Sequence, residues 1–134
     1  MFTYLKTMNQ HTAAVEPIWL PVADDAVFVP GAVCQMSDGV LTSMDIGKPK
    51  YVTMEHKNAG DGKDTLKCFK VLPGMLFKAD VYGDITGMYV GDLVTFAQDT
   101  NENNVYVNLG EGEVEIINLD TYAADGTVTV SIIV

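Results

Sequence analysis

From Ala26 onward the sequence is cut into short β-branched or aromatic runs separated by glycine, aspartate and asparagine, and few architectures are compatible with that pattern. The runs are Ala26–Phe28, Ala32–Met36, Val40–Met44, Tyr51–Glu55, Thr65–Val71, Leu76–Val81, Leu93–Ala97, Val105–Asn108, Glu113–Leu119 and Thr127–Val134. Runs this short, at this spacing, predict an all-β protein: a small barrel or sandwich of about eight to ten short antiparallel strands. The turn chemistry agrees. Ser37-Asp38-Gly39 separates two apolar runs, and Asp-Gly favours a tight hairpin because both residues tolerate positive φ. Asn58–Asp64 and Asp99–Asn104 read as longer polar hairpin tips, and Ala123–Gly126 joins the last two runs. At the end of the chain Val128, Val130 and Ile132 alternate with Thr127, Thr129 and Ser131, the period of a strand with one buried face.

The first 25 residues stand apart from this pattern. Phe2, Leu5 and Met8 recur at three-residue spacing as a weak helical stripe, which Pro17 and Pro21 close off. Residues 1–25 are therefore expected as a non-strand N-terminal arm, and residues 26–134 as a single β-barrel-like domain. Phe2, Tyr4, Leu5, Ile18, Trp19 and Leu20 make this arm too apolar to stand in water uncovered, so they are the candidate partner-contact residues. Trp19, between two prolines, suits either an anchor on a partner or a plug for the protein's own barrel end. A loose terminus is the plainer alternative. Pro30-Gly31-Ala32-Val33-Cys34, a turn and Val40-Leu41 are echoed by Val90-Gly91-Asp92-Leu93-Val94, a turn and Val105-Tyr106-Val107, which fits either a two-fold barrel repeat or simply two hairpins with glycine entries, a common feature.

Length and charge narrow the function classes. A chain of 134 residues is long enough for one core. Its net charge is −10, and all of that charge lies in residues 79–134, which hold ten acids and no lysine, while residues 1–78 balance eight lysines with eight acids. Arginine is absent, and with it the usual bidentate reader of phosphate and guanine. Such a surface repels nucleic acid and suits a basic protein partner. No apolar run reaches the roughly 20 residues of a membrane span. The opening residues lack a cationic stretch followed by an apolar one, so a cytosol-like compartment is expected.

Reactive groups are few, and no catalytic centre, metal site or cofactor is expected. The histidines are His11, in the arm, and His56, at a strand end; Ser37, Ser43 and Ser131 stand in no nucleophile elbow. Cys34 and Cys68 sit in apolar stretches and are expected buried and reduced. Asp61-Gly62-Lys63-Asp64 lacks the spacing and distal glutamate of a calcium loop, and Gly47-Lys48-Pro49-Lys50 lacks the glycines of a phosphate cradle. Asp99–Asn104 has oxygen donors for a weak cation site but reads as a solvated hairpin tip. The tyrosines continue past Lys78, where the lysines stop, and stacking on single-stranded nucleic acid needs the two interleaved.

The informative remainder is the order of turns and strands. Pro30-Gly31 before a strand, Asp38-Gly39 at a hairpin, Lys48-Pro49-Lys50-Tyr51-Val52 leading a strand that ends near Met54-Glu55, Val90-Gly91-Asp92 before another strand, and the tail EGEVEIINLDTYAADGTVTVSIIV together resemble the small β-rich capsid decoration, or head-stabilising, proteins of tailed phages and prophages. The resemblance covers about residues 26–134. It implies a non-enzymatic structural protein that binds the outer surface of an assembled head, clamps neighbouring copies of the major capsid protein, and is often a homo-oligomer, as a trimer. The implied location is the virion surface, reached from the bacterial cytoplasm during assembly. The absence of arginine and the long N-terminal segment depart from that pattern. Two alternatives belong to other classes: a small nucleic-acid-binding barrel of the OB type, and a surface adhesin-like β-sandwich.

Overall fold

The computed structural model of the chain describes residues 2–7, 16–44, 47, 49–80, 89–99, 104–109, 112, 114–120 and 127–132. Among these residues there are eleven strands and no helix, so the chain is all-β, as its run spacing indicates. The strands are β1 Phe2–Thr7, β2 Ile18–Pro21, β3 Val33–Ser37, β4 Val40–Ser43, β5 Tyr51–Thr53, β6 Thr65–Lys70, β7 Met75–Asp80, β8 Leu93–Asp99, β9 Asn104–Leu109, β10 Val114–Asp120 and β11 Thr127–Ile132. Nine of the ten runs form strands, while Ala26–Phe28 contributes one isolated bridge, Phe28 to Lys57. Asp38 (φ 52°) and Gly39 (φ 81°) make the tight β3–β4 turn with both central residues at positive φ, as expected for Asp-Gly. The tips at 100–103 and 121–126 lie outside the described residues.

Two antiparallel sheets result, β2-β6-β5-β3-β4 and β1-β7-β11-β10-β8-β9. Each curls, bringing β2 near β4 and β7 near β9, but neither is joined into a closed, hydrogen-bonded barrel.

Without β1, the two sheets have the same strand order, each strand of the first corresponding to the one five places later in the second. The agreement extends to single backbone bonds. Gly31 N donates to Thr53 O at 2.9 Å, and Gly91 N to Ile116 O at 2.8 Å. Thr53 N donates to Ala32 O at 2.9 Å, and Ile116 N to Asp92 O at 3.0 Å. Ala32 N reaches Val29 O at 3.3 Å, and Asp92 N reaches Tyr89 O at 3.1 Å. Gly31 and Gly91 hold φ of 85° and 95°, a region that favours glycine. The echo seen around Gly31 and Gly91 is thus part of a repeat of a whole five-stranded unit, the first from β2 to β6 and the second from β7 to β11.

The strand period divides the side chains between two apolar clusters. Val33, Val52 and Phe69 leave one face of the first sheet and pack with Met75, Phe77, Ala79, Val94, Phe96, Val114 and Ile116 from the second. The rings of Phe69 and Phe77 stack with centroids 6.2 Å apart, and Tyr4 meets both edge-on at 5.7 Å. The other face of the first sheet, with Cys34, Leu41 and Leu66, is covered by Val22, Phe28 and Ala32 from the segment between β2 and β3.

The expected non-strand arm is corrected by this arrangement, because residues 1–25 supply β1 and β2. β1 pairs with β7 from Phe2↔Ala79 to Thr7↔Met75, with a register shift between Tyr4 and Lys6. The three-residue stripe suggested a helix, yet Phe2 and Tyr4 also fit a strand period, and the partners that decide the matter lie about 70 residues away. Pro17 precedes β2 and Pro21 ends it, and neither excludes an edge strand. Val22 N donates to Asp64 O at 3.0 Å, and Ile18↔Cys68 and Leu20↔Leu66 keep the same phase. Pro17, Trp19 and Pro21 therefore direct their backbone groups outward, where a missing N–H breaks no ladder bond.

Candidate partner-contact surface

The six apolar residues of the N-terminal segment separate into inward and outward sets. Tyr4 is half-buried against Phe69 and Phe77. Leu20 packs on the second apolar cluster and Ile18 is half-buried beside it on β2. Leu5, at the β1 register shift, is 47% exposed, and Trp19 is 58% exposed. The side chain of Phe2 lies outside the described residues, although its backbone belongs to β1. Leu5 and Trp19 belong to different sheets, and Tyr4 and Leu20 are turned into the packed interior, so the six are not all presented outward.

Trp19 stands in a definable surface of its own. It pairs with Lys67 of β6, and Met54 N, just past the end of β5, donates to Lys67 O at 2.9 Å, which sets Trp19, Lys67 and Met54 in one row. The Lys67 ammonium stands 5.9 Å from the centre of the indole ring. Glu55 steadies the row from below, its Oε1 accepting the Lys67 N–H at 2.9 Å, and Lys63 lies 4.0 Å from Glu55 Oε2. Phe69, two residues beyond Lys67, shares its side of the sheet, so the row continues the shared core outward past its covered part. Among these residues Met54 and Lys67 escaped sequence reasoning. The available signal was strand alternation in Leu66-Lys67-Cys68-Phe69, which sets Lys67 opposite the two buried side chains that flank it.

Beside this surface the β5–β6 tip is held by a buried lysine. Lys57 is fully buried, and its three ammonium protons have three acceptors: Asn58 O at 2.7 Å, Asp24 O at 2.9 Å and Asp61 Oδ1 at 2.7 Å. The Lys57 hydrogen bond, then the Asn58 N–H, and also the Lys63 N–H, hold the Asp61 carboxyl well below the usual carboxylate range. Asp61, which superficially suggests a calcium loop, is thus engaged by this chain's own ammonium.

Cys34 and Cys68 are buried free thiols, as expected. Burial, with Cys68 nearby, pushes the Cys34 thiol up to about 12; burial, with Glu55 nearby, pushes Cys68 up to about 11. Neither is a nucleophile near neutral pH. His56 is exposed, its carbonyl accepting the Lys63 ammonium at 2.9 Å, and His11 lies outside the described residues. Among the described residues no three His, Cys, Asp or Glu side chains gather as a metal site.

Comparison of the chain with protein-family models, with curated proteins and with solved structures finds no match.

Proposed function

We propose that this protein is a non-enzymatic structural protein that binds the outer surface of an assembled phage head and stabilises it, with the major capsid protein as its partner. The observation that carries this reading is Trp19: a large aromatic, 58% exposed, on a strand held in register by β6, beside Met54 and a lysine. Aromatic anchors presented on a rigid element contribute most where a partner closes over them. The resemblance of residues 26–134 to head-stabilising proteins supports the choice of a capsid as that partner, and with it the reading of a homo-oligomer on the virion surface. No cofactor is required by this role.

The test is co-sedimentation with assembled heads of the phage or prophage that encodes the chain. Wild-type protein is expected to pellet with heads. Trp19→Ala should weaken attachment by more than about tenfold, since truncating a buried interface aromatic costs about 2 kcal/mol or more. Its melting temperature should stay near that of the wild type, because the side chain is outside the core. Unchanged pelleting would remove Trp19 from the contact, and no pelleting by wild type would remove the reading itself. Retardation of single-stranded DNA at physiological salt would favour the OB-type alternative.

A further inference from the structure

The repeat of the five-stranded unit allows each surface of the first unit to be compared with its counterpart in the second. The matched backbone bonds equate Val29, Pro30, Ala32 and Thr53 with Tyr89, Val90, Asp92 and Ile116. The ladders equate the pair Val33↔Val52 with Leu93↔Glu115, and Phe69 with Ser131. In the first unit this face is an interface within the molecule: Val33, Val52 and Phe69 are 0%, 2% and 6% exposed beneath the second unit. Among the described residues of the second unit, Leu93, which takes the place of Val33, and the turn residues Tyr89 and Val90 just before it are open. Tyr89 is 68% exposed, Val90 62% and Leu93 46%.

A repeat unit whose outer face meets only water is expected to be polar there. By sequence, Ala32, Val52 and Phe69 are replaced by Asp92, Glu115 and Ser131, while Val29, Pro30 and Val33 are replaced by Tyr89, Val90 and Leu93. The turn that carries them is already ordered. Gly91 N is bonded to Ile116 O, and Asp92 Oδ2 accepts the Tyr89 N–H at 2.9 Å, so little is lost in fixing it on binding. The acids beside the patch, Asp92 in the turn and Glu115 opposite Leu93, belong to a half of the chain with ten acids and no basic residue. Two copies of this face repel each other, and a basic partner is attracted.

We infer that Tyr89, Val90 and Leu93, with Asp92 and Glu115, form a docking surface for a lysine- or arginine-bearing apolar segment of another protein. This goes beyond attachment through Trp19, lies on the other unit, and is tested without heads, so either reading can fail alone. The probe is a short peptide alternating lysine and leucine, titrated into the full-length isotope-labelled protein and followed by amide chemical shifts. Shifts should centre on residues 89–93 and 115. Leu93→Ser, which keeps every charge, should weaken binding by more than about tenfold, and so should replacing the peptide's leucines by serine. Raising salt from about 0.1 M to 0.5 M should weaken it further, as for partly exposed charge pairs. A Tyr89→Ala, Val90→Ala variant gives the same reading should Leu93→Ser fold poorly. Shifts spread evenly over the acids of residues 79–134, or unchanged affinity in both variants, would overturn the inference. Self-association that Leu93→Ser abolishes would give the surface to a second copy and overturn it likewise.

Discussion

The first unit holds the turn before its β3 strand with a buried side chain, whereas the second, built on the same strand order, holds the corresponding turn with an exposed one. In the first, Thr53 Oγ1 donates to Val29 O at 2.6 Å and accepts the Ala32 N–H at 3.0 Å, fixing the turn before β3 from inside the core. In the second, the matching position is Ile116, which has no hydroxyl, and the turn before β8 is held from outside by the Asp92 carboxylate. One backbone plan thus accepts different turn chemistry, because ladder register and a positive-φ glycine fix the path while side chains decide how firmly it is held.

The sharpest way to break the comparison is to attack what joins the units. Phe77 is fully buried and stacks on Phe69 across the two sheets. Phe77→Ala should cost about 4 kcal/mol, measured by denaturant unfolding, and should destabilise both units together in one transition. Two separate transitions would show that the units are not energetically coupled through this core.

Next in size is the buried lysine of the first unit, Lys57. Lys57→Met leaves the carbonyls of Asp24 and Asn58 without their buried donor, so a loss of about 2–3 kcal/mol is expected, with Asn58–Asp64 losing amide protection in hydrogen exchange. A loss below about 0.5 kcal/mol would mean that water replaces the ammonium without cost. The Asp61 partner adds a pH dependence whose direction is fixed. Its carboxyl is depressed in the folded protein, so the unfolded chain takes up the proton first as pH falls. The stabilisation is present above the ordinary carboxylate value, near pH 4, and is lost as pH falls from there through the folded value. Asp61→Asn should therefore be less stable at neutral pH and lose less on acidification than the wild type. Parallel acid profiles would exclude Asp61 as a contributor.

Much of this architecture was legible because strand period and turn residues are local. The nine runs that became strands, and Asp38-Gly39 at the tight hairpin, needed only neighbours in sequence to be read. β1 and β2 were not legible for the opposite reason. Phe2–Thr7 is a strand because β7 lies beside it, and Ile18–Pro21 survives its prolines because only one edge is paired. The contact residues show the same division. Trp19 was marked by its proline neighbours, but Tyr4 carries an equally apolar ring and is taken into the core by Phe69 and Phe77, which no local pattern announces. The exposure of Tyr89, Val90 and Leu93 becomes meaningful only once the second unit is laid on the first, since singly such residues are ordinary on any surface.

The smallest effects should separate the two ways of holding the matched turn. Thr53→Val keeps the shape of a buried side chain but removes the hydroxyl that Val29 O and Ala32 N share, so the turn loses its internal bond where water has little access. A loss of about 1–2 kcal/mol is expected. Asp92→Ala removes the corresponding restraint in the second unit, but there the Tyr89 N–H is exposed and can turn to solvent, so about 0.5 kcal/mol is expected. Denaturant midpoints of the two variants, at unchanged slope, give the ratio directly. Equal losses would mean that the second turn is held as tightly as the first, and would count against Ile116 being a tolerated replacement for Thr53. A gain of stability in Thr53→Val would show that the first unit keeps its hydroxyl for a reason other than holding this turn.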